Sequence, residues 1–433
     1  MLNFFAYALH CVRAALVFLL SVTSVGLLGP AGPDATFAME NKAEQYEARA
    51  RILASSLETN FFDRWSPMLH NNSSNHFGPS GCWDVTALLT MYTKLAKLDS
   101  KYLCGADRAI CTLGFYGRET TGGGFSAYTG EWKMLQNSSN GDVYYDDNMW
   151  VGRDLVKLYT LTGDKKYLDR AIVIADMIID EGWTDLDEDM FALKFGRAPG
   201  GPLGGFYWRD DHDALHVCSN GPAIQFLTLL SAAADNGKGG SYLNYAQRCY
   251  RFVKYLERDN GVFWDLMRFH KDTGNNITGI DKAEGASLTY NSGTPISSAV
   301  ELYRATGDAA YLEDAKRWGR SADLFFAKNS PVPGVKAFTD LPWFREILLM
   351  GYIDLYEFDG DALAYIQNME DSLNYGYENH RLNGVLGYNE NIIPRDWVDG
   401  FKDEDAKKSA AALEQLPCAG IYASLAMFYA ALD

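Results

Sequence analysis

Apolar residues Val151, Leu155, Leu158 and Tyr159 recur at intervals of four, three and one, the spacing of a helix that buries one face. A polar run, Asn137-Ser-Ser-Asn-Gly141, precedes them, so the helix opens near Asp146. Carrying the stripe back one turn from Val151 reaches Asp147, while Asp146 stands one turn above Trp150. The pattern predicts two adjacent carboxylates where the buried face meets solvent.

The end of this helix carries a phrase that returns. Leu158-Tyr-Thr-Leu-Thr-Gly-Asp-Lys-Lys-Tyr-Leu-Asp-Arg-Ala171 is echoed by Leu302-Tyr-Arg-Ala-Thr-Gly-Asp-Ala-Ala-Tyr-Leu-Glu-Asp-Ala315, with weaker copies around Tyr102 and Tyr242. The shared tyrosines, Tyr102, Tyr167, Tyr242 and Tyr311, are 65, 75 and 69 residues apart, and Tyr365 continues the series. Such a period is too long for a short solenoid repeat and suits two helices plus a loop. Each phrase ends one helix, turns at Gly-Asp and starts the next with Tyr-Leu on the core. An N-terminal helix over residues 41–61 and a last one over 420–432 bring the total to about six hairpins. A chain of hairpins that must bury both faces closes into a ring, so the expected fold is all-α, a single-domain (α/α)6 toroid over residues 39–433. Glycine turns joined to aromatics, Gly122-Gly-Gly-Phe125, Gly204-Gly-Phe-Tyr-Trp208, Asn260-Gly-Val-Phe-Trp264 and Asn383-Gly-Val-Leu-Gly-Tyr388, are expected as rim loops or short strands.

Composition narrows the partners. The chain has 433 residues and a formal net charge of −17, which opposes binding to nucleic acid or anionic membranes, and no basic patch offsets it. Tyr and Trp are abundant, 26 and 10, as suits stacking on sugar rings, although helix packing accounts for many of them. Residues 1–38 read as a secretory signal: Arg13, an apolar run over 14–28, then Gly, Pro and small residues before Met39. That run is too short and interrupted for a membrane anchor, so the mature protein is expected to be secreted or at the cell surface. Six cysteines would remain, Cys82, Cys104, Cys111, Cys218, Cys249 and Cys418, with no Cys-x-x-Cys metal pattern and no pairing that spacing alone assigns.

Two readings of Asp146-Asp147 compete. As capping residues they would only satisfy a helix start. As a catalytic pair, with carboxyls about 5 Å apart, they match a retaining glycosidase, because inversion needs a wider gap to admit water. Like charges so close push one proton affinity up and leave the other carboxylate as nucleophile. A third chemistry, metal binding, is open to Asp210, Asp211, His212, Asp213 and His216, with the histidines four apart; no second cluster supplies further ligands. No Gly-x-Ser-x-Gly elbow, P-loop or dinucleotide fingerprint is present.

Tyr145-Asp-Asp-Asn-Met-Trp150, the Thr-Gly-Asp phrase, Gly204-Gly-Phe-Tyr-Trp with Ser219-Asn-Gly221, and Leu288-Thr-Tyr-Asn-Ser-Gly293 occur in that order. Together they resemble glycoside hydrolase family 76, the α-1,6-mannanases and related fungal cell-wall proteins. The resemblance implies an (α/α)6 fold and retaining cleavage of α-1,6-mannosidic bonds in mannan, endo-acting, with no metal or organic cofactor. By it Asp146 would be the nucleophile and Asp147 the general acid/base. Trp83, Asp84, Tyr207, Trp208, Asn220, Tyr290 and Asn291 are expected to line the substrate groove, and Trp343 with Phe344 to extend it. The charged stretch from Asp210 to His216 departs from the family pattern and bears on endo against exo action. Transglycosylation or glycan binding on the same fold is the alternative, as is another α/α-toroid activity such as a uronyl hydrolase or lyase; the last two commonly act on anionic sugars and would need a local basic groove.

Overall fold

The computed structural model describes residues 42–62, 68–74, 79–119, 124–132, 141–274, 276–382 and 390–432. The expected signal segment, residues 1–38, lies outside them, as do Gly122, Gly123 and the Asn383–Tyr388 loop. The described residues divide into two compact units: those up to 115, with 380–382, 390–394 and 401–432, form one, and those within 116–379, with 395–400, form the other.

The first unit contains α1 (Lys42–Phe61), α2 (Cys82–Leu98) and α3 (Leu103–Leu113). In the second, α4 (Tyr145–Thr162) pairs with α5 (Lys165–Gly182), and a short α6 (Glu188–Phe195) follows. Then come α7 (Val217–Ala233) with α8 (Gly239–Val253), α9 (Thr289–Thr306) with α10 (Ala309–Phe326), and α11 (Pro342–Tyr356) with α12 (Ala362–Asn379). The chain returns to the first unit with α13 (Ala412–Ala430), which packs on α1 and α2. This last helix starts eight residues before the expected position. It is buried on nearly every side, so no polar stripe marks its beginning.

The recurrent phrase makes the expected turns. Gly163 and Gly307 take φ of 70° and 71°, the left-handed conformation that glycine adopts without a Cβ clash, and their N–H groups return to Tyr159 and Tyr303 carbonyls. Asp164 and Asp308 then cap the following helices through the N–H of Lys166 and Ala310, each at 3.0 Å.

Within the second unit the first helices of successive hairpins, α4, α7, α9 and α11, pack side by side, with each second helix against its own partner. The first helices are buried almost all round, whereas α5 buries one stripe, Tyr167, Leu168, Ala171, Ile174, Ala175 and Ile178. Close approach depends on small residues. A Cβ at Gly152 would strike the Phe226 ring on α7, one at Gly221 would strike Thr294 on α9, and one at Gly293 would lie 2.6 Å from the backbone of Ile347 and Leu348 on α11.

Small antiparallel ribbons decorate the helix starts. β1 (Gly117–Glu119) pairs with β2 (Phe125–Tyr128), β3 (Trp183–Leu186) with β4 (Leu203–Phe206), and β5 (Ala214–His216), β6 (Leu266–Lys271) and β7 (Ile277–Glu284) form a three-stranded sheet. Two asparagines tie ribbons to helices in the same way. Asn148 on α4 accepts from the N–H of Tyr128 and donates to the Tyr128 and Tyr144 carbonyls. Asn220 on α7 accepts from the N–H of Phe206 and donates to the Phe206 and His216 carbonyls.

Candidate active site

The site is built where the start of α4 meets the segment after β4. Tyr145 N–H donates to the Trp208 carbonyl at 2.8 Å, and Asp210 N–H to the Val143 carbonyl at 3.2 Å. This short pairing brings the two stretches into register, and the Asp210 carboxylate reinforces it by accepting from Val143 N–H at 3.3 Å. As a result the Trp208 indole reaches back over the helix start.

Tyr144, not an aspartate, occupies the N-cap of α4 and makes no side-chain cap bond. Asp146 and Asp147 take the second and third places of the first turn. Asp146 accepts a hydrogen bond from Trp208 Nε1 at 3.1 Å, another from the Cys218 thiol and a third from the N–H of Asp147. Burial raises its pKa to about 6, against the opposing pull of those donors and of His216. The carboxyl therefore titrates close to neutrality with a second carboxyl as its chain neighbour, a combination suited to acid, base or nucleophile chemistry.

The next layer comes from α7, β6 and α9. His216, the N-cap residue of α7, places Nδ1 3.7 Å from Asp265 Oδ2, and its ring centroid lies 5.1 Å from that of Trp208. Tyr290 OH donates to Asp265 Oδ1 at 2.9 Å and Asn291 Nδ2 to the same oxygen at 3.2 Å. Burial alone would raise Asp265, but His216, Tyr290 and Asn291 outweigh it and hold the carboxyl below its ordinary range. Cys218 is pushed well up by burial and by the carboxylates of Asp146 and Asp265, so it remains a thiol and a donor.

The expected groove residues part company here. Trp208 touches Asp146, and Tyr290 and Asn291 hold Asp265. Asn220 is a correction: fully buried, it commits its amide to backbone of β4 and α7 and offers no atom to a ligand. Trp343 is likewise buried, 2% exposed, edge-on to Trp150 at 5.7 Å, with Arg153 stacked on the other indole at 4.2 Å; its apolar bulk went into helix packing. Phe344 packs on the Tyr290 ring at 4.3 Å. Tyr207 is buried too, with His212 stacked on it at 4.5 Å and Lys271 over its ring. Trp83 and Asp84 belong to the first unit, where Asp84 accepts from Gly81 N–H at 3.0 Å and burial raises it to about 6, while Trp83 is 37% exposed.

The weighed metal ligands have other partners. Asp211 pairs with Arg209, Asp213 with Arg268 and His216 with Asp265. Among the described residues no group of three or more His, Cys, Asp or Glu is arranged to hold a metal ion, and no helix is long and apolar enough to cross a membrane. Sequence reasoning missed Asp265, although it follows the Asn260-Gly-Val-Phe-Trp264 turn directly; a carboxylate after an aromatic turn was the available signal. Cys218 had none, since a lone cysteine reads as core.

Comparison with known proteins bears on the family and the fold. The description of Glycosyl hydrolase family 76 matches residues 54–352. The chain is similar to a family 76 mannosidase structure from Bacteroides thetaiotaomicron, with a TM-score of 0.72 and 23% identity over 90% of this chain and 100% of that one. It is also similar to an inactive variant of an α-1,6-mannanase from a Salegentibacter species, in complex with α-1,6-mannotriose, with a TM-score of 0.66 and 18% identity over 88% and 99% of the two chains. The inactive variant carries asparagine in place of two consecutive aspartates. The hairpin fold expected from the repeated phrase, an all-α (α/α)6 toroid, is the fold shared with these structures. The Meiotically up-regulated gene 191 protein of Schizosaccharomyces pombe is 28% identical over 243 residues, 52% of this chain, so that the match spans about half, 51%, of that relative's length.

Proposed function

The chain belongs to glycosyl hydrolase family 76, and from that premise we propose that it hydrolyses α-1,6-mannosidic bonds within mannan, endo-acting and with retention of configuration. Asp146 is the nucleophile and Asp147 the general acid/base. Asp146 attacks the anomeric carbon while Asp147 protonates the departing sugar oxygen, leaving a covalent mannosyl-enzyme ester. Asp147 then takes a proton from water, which attacks the anomeric carbon and displaces the Asp146 carboxylate, so that two inversions give net retention.

The observation that carries this reading is the setting of Asp146: a half-buried carboxylate gripped by Trp208, Cys218 and its neighbour's N–H. Burial strips hydration from the attacking oxygen, and the donors favour its ionised form. Support also comes from the Salegentibacter mannanase, inactive when two consecutive aspartates become asparagine.

The raised proton affinity of Asp146 favours one specific second reading, the same pair with roles exchanged. The test covers both. Parent, Asp146→Asn and Asp147→Asn chains are incubated with linear α-1,6-mannan and with an activated aryl α-mannoside. Release of short oligosaccharides by the parent alone supports the reading. The acid/base variant keeps its first step on the activated substrate and regains turnover with azide, whereas the nucleophile variant does neither. An inert parent, or variants that match it, overturns the assignment. The proposal includes export after removal of residues 1–38, checked by N-terminal sequencing of protein recovered from the medium of a secreting host.

A further inference from the structure

We propose that Asn276, at the tip of the β6–β7 hairpin, is a glycan acceptor: on the exported chain an oligosaccharide is joined to its side-chain amide. This rests on the export reading above and is independent of the mannan chemistry.

Asn276-Ile-Thr278 has the Asn-x-Ser/Thr form of an N-glycan acceptor, and the fold presents both ends of it to solvent: Asn276 and Thr278 are exposed, with Ile277 half-buried between them. Asp272 builds the turn. Its N–H donates to the Asn276 carbonyl at 3.0 Å, and its carboxylate accepts from the N–H of Gly274 at 2.8 Å and of Asn276 at 3.0 Å. Asn276 Nδ2 reaches the same carboxylate at 3.0 and 3.2 Å, and the Thr278 hydroxyl donates to the His270 carbonyl at 3.3 Å. An amide that carries a sugar keeps one of its two N–H groups, so a bond to Asp272 survives the modification.

Other triplets of this form are placed differently. Asn71-Asn-Ser73 and Asn72-Ser-Ser74 share Ser73, which is buried and bonded to Ala410 through both its N–H and its hydroxyl. Asn72 Oδ1 accepts from Ser74 and Ser409, so a glycan there competes with a junction between distant segments. Asn137-Ser-Ser139 lies outside the described residues. The hairpin tip has neither obstacle. β7 is the outer strand of the order β5-β6-β7, and the tip lies five residue steps along β6 from Leu266, about 16 Å at about 3.3 Å each, while Asp265 and Tyr290 stand at the opposite end. The glycan therefore leaves Asp146 accessible. In the transfer, Asn276 Nδ2 bonds to the anomeric carbon of an oligosaccharide carried on a polyprenyl diphosphate. The bond from that carbon to the diphosphate breaks, its electron pair stays on the phosphate oxygen, and one amide proton passes to a base of the transferring enzyme.

The test expresses the full chain in a glycosylating, secreting host, once with its own residues 1–38 and once with the host's own signal in their place. Peptide-N-glycosidase in heavy-oxygen water converts a glycosylated Asn276 to labelled Asp, which peptide mass spectrometry reads without any turnover. The parent is expected to show that conversion. Asn276→Gln and Thr278→Ala are each expected to lose one glycan in gel mobility, whereas Thr278→Ser keeps it. Enzymatic removal of the glycan is expected to leave kcat/KM on α-1,6-mannan within about twofold, as exposed changes do. An unconverted Asn276 in chain secreted under the host signal overturns the proposal. Conversion under the host signal alone supports the acceptor site and overturns the export reading. Should Asn276→Gln not fold, Thr278→Ala, which keeps Asn276 on Asp272, carries the same comparison.

Discussion

Asp146-Asp147 and Asp210-Asp211 are the same dipeptide, carried on two stretches that pair directly through Val143 and Asp210. Their chemistry is nonetheless opposite. The first pair lies in the opening turn of a long helix, where burial raises Asp146 to about 6 and neutral donors, an indole and a thiol, hold it. In the second pair, burial is the largest single influence on Asp211 and raises it, but Arg209 and the N–H of Asp213 together outweigh it and pull the carboxyl below the ordinary range. Its partner, Asp210, serves the backbone of Val143. A carboxylate becomes reactive when it is desolvated with few countercharges, and inert when an arginine neutralises it in water.

The sharpest way to break the comparison is to neutralise both pairs. Asp147→Asn is expected to lower kcat/KM on α-1,6-mannan by about 10²- to 10⁴-fold, and Asp146→Asn by at least as much. Asp211→Asn is expected to stay within about twofold, as exposed substitutions do. Equal losses in both pairs, in initial-rate assays, would overturn the distinction.

Asn220→Ala tests whether the neighbouring polar residue is structural rather than substrate-binding. It leaves the N–H and carbonyl of Phe206 and the His216 carbonyl without their partner, so chemical denaturation should show a loss of about 2–4 kcal/mol. Trp208→Phe keeps the ring and deletes the donor to Asp146. The expected result is a kcat about tenfold or more lower, with KM little changed and the acid limb displaced upward, since a hydrogen bond to a charged group is worth about 1.5–3 kcal/mol. A matching rise in KM with an unmoved limb would mean that the indole acts only as a sugar platform.

The last effect is on stability and has the opposite sign to the effect on activity. The folded pKa of Asp146 lies above the unfolded one, near 3.8, so the native state holds the proton more tightly. Ionising the group as pH rises through about 6 therefore costs stability. Asp146→Asn should melt higher than the parent at pH 8, by about 1–3 kcal/mol of unfolding free energy, and the gain should vanish below about pH 4, where the parent is already protonated. A pH series of thermal melts checks it; a variant less stable than the parent at pH 8 would show that the donors outweigh the burial.

Much of this was legible in the chain. The Thr-Gly-Asp phrase specified helix end, turn and helix start within seven residues, because left-handed glycine and an aspartate cap act locally. The helical period placed Asp146 and Asp147 at the opening of α4, and the ordered motifs pointed to the family. The small ribbons were less legible, being two to eight residues long and set by pairing partners far along the chain.

What only tertiary structure decided is which polar and aromatic residues remain available for chemistry. Asn220 and Asn291 look alike in sequence, each two residues before a helix glycine or next to one, yet one clamps backbone and the other orients Asp265. Trp208 and Trp343 are both tryptophans beside an aromatic, yet one bonds Asp146 and the other packs against Trp150. Local geometry and periodicity depend on neighbours within a turn or two, so sequence determines them. Burial, proton affinity and hydrogen-bond partnership depend on which of several helices supplies the opposite wall, and only the packed hairpins α4, α7 and α9 settle that.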